Sequence, residues 1–132
     1  MGGDEAMIAI GIGCRRGASQ AAITTMIERA LALAQRLGES VRLFSIEAKS
    51  GEAGLVGAAQ AMGLPLEFLP ADALRAVEGK IATPSPQAKA TLGVASVSEA
   101  AALAGAGRDA RLVVKRMIGD GVACAVARGS GR

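Results

Sequence analysis

The order in which short apolar runs and helical segments follow one another limits the fold of this chain more than any other feature. Three short runs of strand-forming residues lie at 7–12, 41–46 and 66–69. Between them, the segments 20–37 and 52–62 carry apolar residues at helical spacing. Strands that alternate with helices in this way predict a largely parallel sheet covered by helices.

Single residues predict where the helices begin and end. Ser19 is of a type that caps helix N-termini, and Gly38 and Gly63 stand where glycine often ends a helix. A short helix is expected at 71–77, and an alanine-rich helix is expected after Ser96. Because much of the apolar content is alanine, the predicted core is built from small residues and is rich in helices.

The segment from Gly79 to Leu92 interrupts this pattern. It contains two prolines, several small polar residues and the lysines Lys80 and Lys89, so we predict a loop there. Since such a loop has little apolar surface to bury, we expect it to be mobile. It would either close over a ligand as a lid, with its lysines recruiting carboxylates, or serve as a passive connector.

Two apolar runs near the C-terminus, 112–118 and 122–127, flank Gly119, Asp120 and Gly121. A glycine-rich link of this length between two such runs predicts a β-hairpin. The predicted fold class is therefore α/β: a single three-layer domain in which a mixed, mostly parallel sheet is flanked by helices and ends in a C-terminal β-hairpin.

The chain has 132 residues, which suits one domain. We expect residues 1–6 to form a disordered leader, 7–128 to form the domain and 129–132 to form a tail. The N-terminus lacks the basic and apolar regions of a secretory signal, and no apolar run reaches the roughly 18 residues of a membrane span. We therefore expect a cytoplasmic protein with no membrane partner, in which Cys14 and Cys124 are reduced.

Composition excludes several kinds of site. The chain has no histidine, the commonest general base and metal ligand, and two cysteines only. We therefore expect no metal site and no cofactor. The chain has no tryptophan or tyrosine and two phenylalanines, so it offers no stacking platform for single-stranded nucleic acid, and we expect no nucleic-acid partner.

Positive charge is unevenly distributed along the chain. Residues 111–132 carry five basic side chains against the single acid Asp120, and residues 11–27 carry Arg15 and Arg16 with no acid. Such a local excess favours an anionic partner. The alternative for the C-terminal cluster is a solvated surface.

The loop that joins the first strand to the first helix is the first candidate binding site. The glycines of Gly11–Ser19 would let the backbone approach a ligand, and a helix start attracts anions. Arg15 and Arg16 would add charge-assisted hydrogen bonds to a carboxylate or phosphate. Glu47 occupies the place of a ribose-binding acid, but the glycine spacing is not that of a dinucleotide loop, so nucleotide binding is a distant alternative. The simplest alternative is a tight turn with solvated arginines.

The second candidate loop follows the second strand and contains Lys49 and Glu52. Ligands of parallel sheets lie beyond the carboxyl ends of the strands, so this loop and Gly11–Gly17 are expected to share one mouth. Lys49 could bind a carboxylate, and Glu52 could act as an acid or base. Alternatively, Glu52 complements the dipole of the helix that it precedes.

Three further candidates each have two interpretations. Ser96 and Glu99 form the S-x-x-E of a capping box, which accounts for both, although Glu99 could also be catalytic. Lys115 is a charge in an apolar run and is expected to face either the ligand mouth or solvent. Cys14 lies near a helix start and two arginines, which would lower the pKa of its thiol, but without a histidine base we expect it not to be a nucleophile.

Four motifs in this order resemble the CobE/CbiG C-terminal family of cobalamin biosynthesis. They are GIGCRRGAS, IEAKSGEAGL, GVASVSEAAAL and LVVKRM followed by VACAVAR, and they extend from Ile8 to Arg128. The resemblance implies that the protein acts on, or carries, a precorrin or other corrinoid tetrapyrrole, with other enzymes of the corrin pathway as further partners. It also implies which residues line or shape the site: Gly13, Cys14, Arg15, Gly17, Lys49, Glu52, Gly93, Ser96, Glu99 and Lys115.

Two functional classes follow from this resemblance. The first is a binding or carrier protein that holds the intermediate through its carboxylate side chains. The second is a cobalt-precorrin lactone hydrolase, in which Glu52 or Glu99 would activate water. In the family the hydrolase carries an additional N-terminal region, and the chain is similar to the C-terminal module alone, so we favour the carrier.

Overall fold

The computed structural model describes residues 7–34, 40–93 and 96–131. The predicted leader and the predicted stop at Gly38 lie outside these residues. The strands of the described part are β1 (Met7–Cys14), β2 (Ser40–Ile46), β3 (Leu66–Leu69), β4 (Arg111–Gly119) and β5 (Val122–Gly129). Its helices are α1 (Gln20–Ala34), α2 (Ala53–Met62), α3 (Ala71–Arg75), α4 (Pro86–Leu92) and α5 (Val97–Ala106). None of these helices is long and apolar enough to cross a membrane.

The strands form one mixed sheet in the order β3-β2-β1-β5-β4. β1, β2 and β3 run parallel, and β5 runs antiparallel to both of its neighbours, β1 and β4. This arrangement confirms the predicted fold class and its C-terminal hairpin. Because β4 points in the same direction as β1, the carboxyl ends of β1 to β4 lie along one edge of the sheet.

Helices cover both faces of the sheet, and each face has its own core. Ile8, Ile10 and Ile12 of β1 pack with residues of α1 and α2. On the opposite face, Ala9 of β1 packs with the alanines of α5. This division follows from the alternation of side chains along a strand.

The α5 face is packed backbone against backbone. A Cβ atom on Gly11 would overlap the carbonyl oxygen of Ser98 and lie 2.5 Å from the amide nitrogen of Ala102. Gly105 of α5 is similarly close to the ring of Phe44. The prediction that Gly11 brings the backbone close to a ligand is therefore wrong, because helix α5 already occupies that space.

Several of the predicted boundaries are confirmed by capping and turn geometry. The hydroxyl of Ser19 accepts a hydrogen bond from the amide of Ala22 at 3.1 Å. Gly63 ends α2 with a left-handed φ of 67°. The hairpin link is shorter than expected: Asp120 and Gly121, with φ of 52° and 77°, form a two-residue turn.

The prediction of a loop over residues 79–92 is wrong in its second half, which forms α4. Ser85 caps this helix by accepting from the amide of Ala88 at 3.2 Å, and Pro86 occupies the first helical position, where a missing N–H costs nothing. The two lysines are engaged within the protein. Lys80 Nζ lies 3.3 Å from the carbonyl oxygen of Ala110, and Lys89 forms an ion pair with Glu78 at 3.0 Å.

The C-terminal boundary that we predicted at residue 128 falls inside β5. Beyond the strand, the amide of Ser130 donates to Arg108 and the amide of Gly131 donates to Ala106, both at 2.8 Å. The backbone of residues 129–131 therefore belongs to the domain instead of forming a separate tail.

Candidate functional site

A pocket of about 340 Å³ opens at the edge of the sheet where the carboxyl ends of β1 and β4 lie. This is where ligands of parallel sheets bind. The structure brings four predicted site residues together in its lining: Gly13, Cys14, Arg15 and Lys49. Gly13 and Cys14 end β1, Arg15 begins the next loop, and Lys49 lies in the turn after β2.

Glu52 joins the two candidate loops. Its Oε1 atom accepts a hydrogen bond from the amide of Gly17 at 2.9 Å. Gly17 has a φ of 76°, a conformation that glycine adopts without strain. The half-buried carboxylate thus connects the start of α2 to the turn after β1, and it does not line the pocket. A catalytic role for Glu52 stays a prediction, and this contact favours a positioning role.

Glu99 is fully buried in the first turn of α5. Its Oε1 accepts from the amides of Ala82 and Thr83, and its Oε2 accepts from the amide of Arg116, all at 2.9 Å. Burial raises the pKa of this carboxyl, but the backbone hydrogen bonds outweigh burial and hold the pKa below its ordinary value. A carboxylate that is charged near neutral pH and accepts from three amides is suited to holding segments together.

The capping-box interpretation is correct for Ser96 and wrong for Glu99. The hydroxyl of Ser96 accepts from the amide of Glu99 at 3.4 Å, as a cap does. The side chain of Glu99 does not return to Ser96 and binds the amides of Ala82, Thr83 and Arg116. The physical reason is a bulge in β4 between Val114 and Met117, because a bulged strand leaves an N–H without a ladder partner.

Sequence reasoning missed Ser98 and Arg116, which both line the pocket. Ser98 Oγ and Arg116 Nε are buried and have no hydrogen-bond partner within the described ranges 7–34, 40–93 and 96–131. Ile118 adds an apolar side chain that is 65% exposed. Lys115, the site residue that the sequence predicts in this strand, is exposed and lies outside the pocket lining. Of its two predicted orientations, the structure therefore shows the one toward solvent.

The remaining predicted residues lie around the pocket without lining it. Arg16 and Gly17 are exposed in the turn after β1. Gly93 ends α4 with a φ of 74°, and Ser96 caps α5. Gly93 and Ser96 thus lie at the end of α4 and at the start of α5, and a role for them in ligand binding stays a prediction.

The environment of Cys14 differs from our expectation. Burial raises the pKa of this thiol above its ordinary value, Lys49 opposes that effect, and Glu52 adds to it. The expectation of a lowered pKa is therefore wrong, since the side chain is 8% exposed and desolvation exceeds the nearby positive charge. Burial also raises the pKa of Cys124 to about 12. Burial therefore favours the protonated thiol at both positions.

The pocket combines cationic and apolar surface. Arg15, Lys49 and Arg116 supply positive charge, and Val97, Ile118 and Val122 supply apolar surface, all as lining residues. Within the described residues no group of three or more acidic or cysteine side chains is arranged to hold a metal ion. Chemically, this arrangement can bind a carboxylate that is attached to an apolar body.

Comparison with known proteins identifies relatives of this chain. A family model described as "Cobalamin synthesis G C-terminus" matches residues 8–127. The chain is 35% identical over 121 residues to "Protein CobE" of a Sinorhizobium species, covering 91% of this chain and 79% of that protein. It is 36% identical over 115 residues to a cobalt-precorrin-5A hydrolase of Priestia megaterium, covering 86% of this chain and 30% of that protein.

Two solved structures share the fold. CobE, described as a protein from the cobalamin (vitamin B12) biosynthetic pathway, superposes with a TM-score of 0.84 at 37% identity, covering 93% of this chain and 90% of that chain. The cobalamin biosynthesis protein chiG of Agrobacterium tumefaciens superposes with a TM-score of 0.67 at 36% identity, covering 91% of this chain and 96% of that chain.

Proposed function

The chain belongs to the CobE/CbiG C-terminal family of cobalamin biosynthesis proteins. From this premise we propose that it binds a precorrin or another corrinoid intermediate by contacting the carboxylate side chains of that intermediate. A precorrin is a large, flat, apolar ring that bears acetate and propionate groups. Its binding partner therefore needs both apolar surface and several cations.

The observation that carries this proposal is the composition of the pocket at the sheet edge. Arg15 and Lys49 project from two different loops into one opening, and Ile118 and Val97 contribute apolar surface beside them. Its volume of about 340 Å³ is at the lower end of the range for ligand pockets. The pocket would thus hold one edge of the ring, with its acidic side chains, while the rest of the ring projects outward.

We favour a carrier over a hydrolase because of what the carboxylates contact. Water activation needs a carboxylate that faces the ligand, whereas Glu52 and Glu99 accept hydrogen bonds from backbone amides and lie outside the pocket lining. Hydrolysis of a precorrin lactone remains the alternative.

The same proposal includes a cytoplasmic location and transfer of the intermediate to another enzyme of the corrin pathway. The capping residue Ser85 and Ala88 of helix α4 line the pocket wall, which supports a role for this segment in contacting the ligand. Lid closure of residues 79–92 stays a prediction. The nucleotide alternative gains no support, because Glu47 is exposed and lies outside the pocket lining.

A spectroscopic titration tests the proposal. The wild-type protein is titrated with hydrogenobyrinic acid and with its fully amidated form, each at low and high salt. We expect the acid to bind more tightly than the amide. The affinity for the acid should fall as the salt concentration rises, because salt screens exposed charge pairs. Equal affinity for the acid and the amide would contradict binding through carboxylates. Conversion of the ligand to a new product on incubation would support the hydrolase.

Adjacent arginines provide a matched pair of variants for this titration. Arg15→Ala removes a cation from the pocket, and we expect it to weaken binding of the acid by roughly 10-fold. Arg16→Ala removes an exposed cation outside the pocket lining and should leave affinity nearly unchanged. Equal losses in the two variants would indicate general electrostatic attraction and not binding in this pocket.

A further inference from the structure

Two polar groups in the pocket wall lack partners. Ser98 Oγ and Arg116 Nε are buried without a hydrogen bond in the described part of the chain, and Ser98 is 1% exposed. Buried polar groups are nearly always paired, since an unpaired one lowers stability. Both residues line the same pocket, so a ligand there could supply the missing partner.

The start of helix α5 adds a further attraction for an anion at this place. Val97 and Ser98 belong to the first turn of this 10-residue helix, and both line the pocket. The first amides of a helix have no partner within the helix and carry partial positive charge. A helix start, a buried hydroxyl and a guanidinium N–H thus all border one space.

Glu99 fixes the position of these groups relative to one another. It follows Ser98 in the first turn of α5, and its Oε2 atom accepts from the amide of Arg116 at 2.9 Å. Its other oxygen accepts from the amides of Ala82 and Thr83, so its lone pairs are directed at backbone donors. The bulge in β4 frees the amide of Arg116 for this contact, and the contact fixes the position of Arg116 beside α5.

We infer that Ser98, Arg116 and the first turn of α5 form a subsite for a single carboxylate inside the pocket, with Glu99 as a positioning residue. This inference rests on the proposed function and specifies which groups receive one acidic arm of the corrinoid. Ser98 Oγ and Arg116 Nε donate to the carboxylate oxygens. Arg15 and Lys49, which come from other loops, remain available for further acidic arms.

The variant Ser98→Ala tests the subsite with two opposite expectations. Affinity for hydrogenobyrinic acid should fall roughly 10-fold, because a hydrogen bond to a charged group is lost. Affinity for the fully amidated corrinoid should change much less. The melting temperature of the free protein should stay equal or rise, because alanine favours the helix and the unpaired hydroxyl is removed. A hydroxyl with a purely structural role would give the reverse, with lower stability and unchanged affinity.

Arg116→Lys keeps the positive charge and the strand but removes the Nε donor. We expect this variant to lower the affinity for hydrogenobyrinic acid by a similar factor, because lysine cannot reproduce the planar donor geometry of arginine. Lys115→Ala is the matched control, since Lys115 is the exposed neighbour outside the pocket lining. It should bind the acid as the wild type does.

The results separate the subsite from the proposed function. If the wild type binds the acid but Ser98→Ala and Arg116→Lys bind it equally well, the subsite is wrong and the function stands. If the wild type binds neither corrinoid, the proposed function is wrong.

In that case the subsite is tested with propionate, by following the Nε–H signal of Arg116 in nuclear magnetic resonance. A saturable shift in the wild type that Ser98→Ala weakens supports the subsite, and the absence of such a shift overturns it.

Discussion

The two faces of the central strands are built from different residues. Toward α1 and α2, β1 presents Ile8, Ile10 and Ile12, and these fill the space between sheet and helices with large side chains. Toward α5, the same strand presents Ala9 and Gly11, and the backbones nearly touch. On the first face β1 contributes side-chain volume, whereas on the second it contributes small residues that let α5 approach its backbone.

This difference explains where the site lies. Close packing on the α5 face brings the first turn of that helix against the end of β1, where Gly13 lies next to Val97. The pocket forms along that contact. Both faces bury an apolar core, and the close approach of α5 to β1 also places a helix start and Glu99 beside the strand ends.

The largest effect is expected for Gly11→Ala. The added methyl group would overlap the Ser98 carbonyl, and because the obstacle is backbone, α5 must move. We expect a loss of roughly 3 kcal/mol in the free energy of unfolding, measured with urea. Ile10→Val on the other face is the control and should cost about 1 kcal/mol. Similar losses for the two variants would remove the distinction between the faces.

The next largest effect is expected for Glu99→Gln. The amide group offers one acceptor oxygen and places an NH₂ against backbone donors, so we expect a loss of about 2 kcal/mol in the free energy of unfolding. Glu52→Gln is the matched control, because Glu52 accepts from the single amide of Gly17 and is half-buried. It should cost less than about 1 kcal/mol. A larger loss of stability for Glu52→Gln than for Glu99→Gln would show that Glu52, and not Glu99, is the carboxylate that stabilises the fold most.

A smaller effect should appear when the pH is lowered. The pKa of Glu99 is held below its ordinary value, so its charge stabilises the fold above the unfolded pKa of about 4.3. This contribution is lost as the pH falls through the folded pKa. The stability difference between wild type and Glu99→Gln should therefore shrink between neutral pH and roughly pH 3. Urea titrations at both pH values measure it, and a constant difference would contradict the assignment.

The smallest effect is expected for Cys14→Ser. Burial raises the pKa of this thiol and so favours its protonated form near neutral pH, and we expect Cys14 to have no nucleophilic role. The variant should keep the affinity of the wild type for hydrogenobyrinic acid, with a modest loss of stability from placing a hydroxyl in a buried position. Loss of corrinoid production with intact folding and affinity would show that the thiol takes part in chemistry.

Local signals were sufficient for much of the fold. Apolar runs and glycine stops predicted β1, β2, β3 and the hairpin, because these depend on residues that are close in sequence. Helix α4 was missed because its prolines were interpreted as a loop signal. A serine followed by proline at the first helical position, with Gly93 after the last turn, was available as a helix signal.

The site was predictable only in part, because its missing members depend on tertiary contacts. Strand alternation alone did not indicate that Arg116 rather than Lys115 lines the pocket, since a bulge in β4 changes which residues face which side. Glu99 matched a local motif, but its three amide partners come from segments 16 or 17 residues away. Such contacts appear only when the chain is folded.

The central claim is that close packing on the α5 face forms the ligand site. Amide hydrogen exchange with and without hydrogenobyrinic acid tests this claim most directly. We predict that the acid slows exchange at 13–15, 97–99 and 116–118 around the pocket. Exchange should be unchanged at 109–111 and 128–130, where a second opening is lined by Arg111 and Arg128. Protection of that second region, with none around the pocket, would contradict this account.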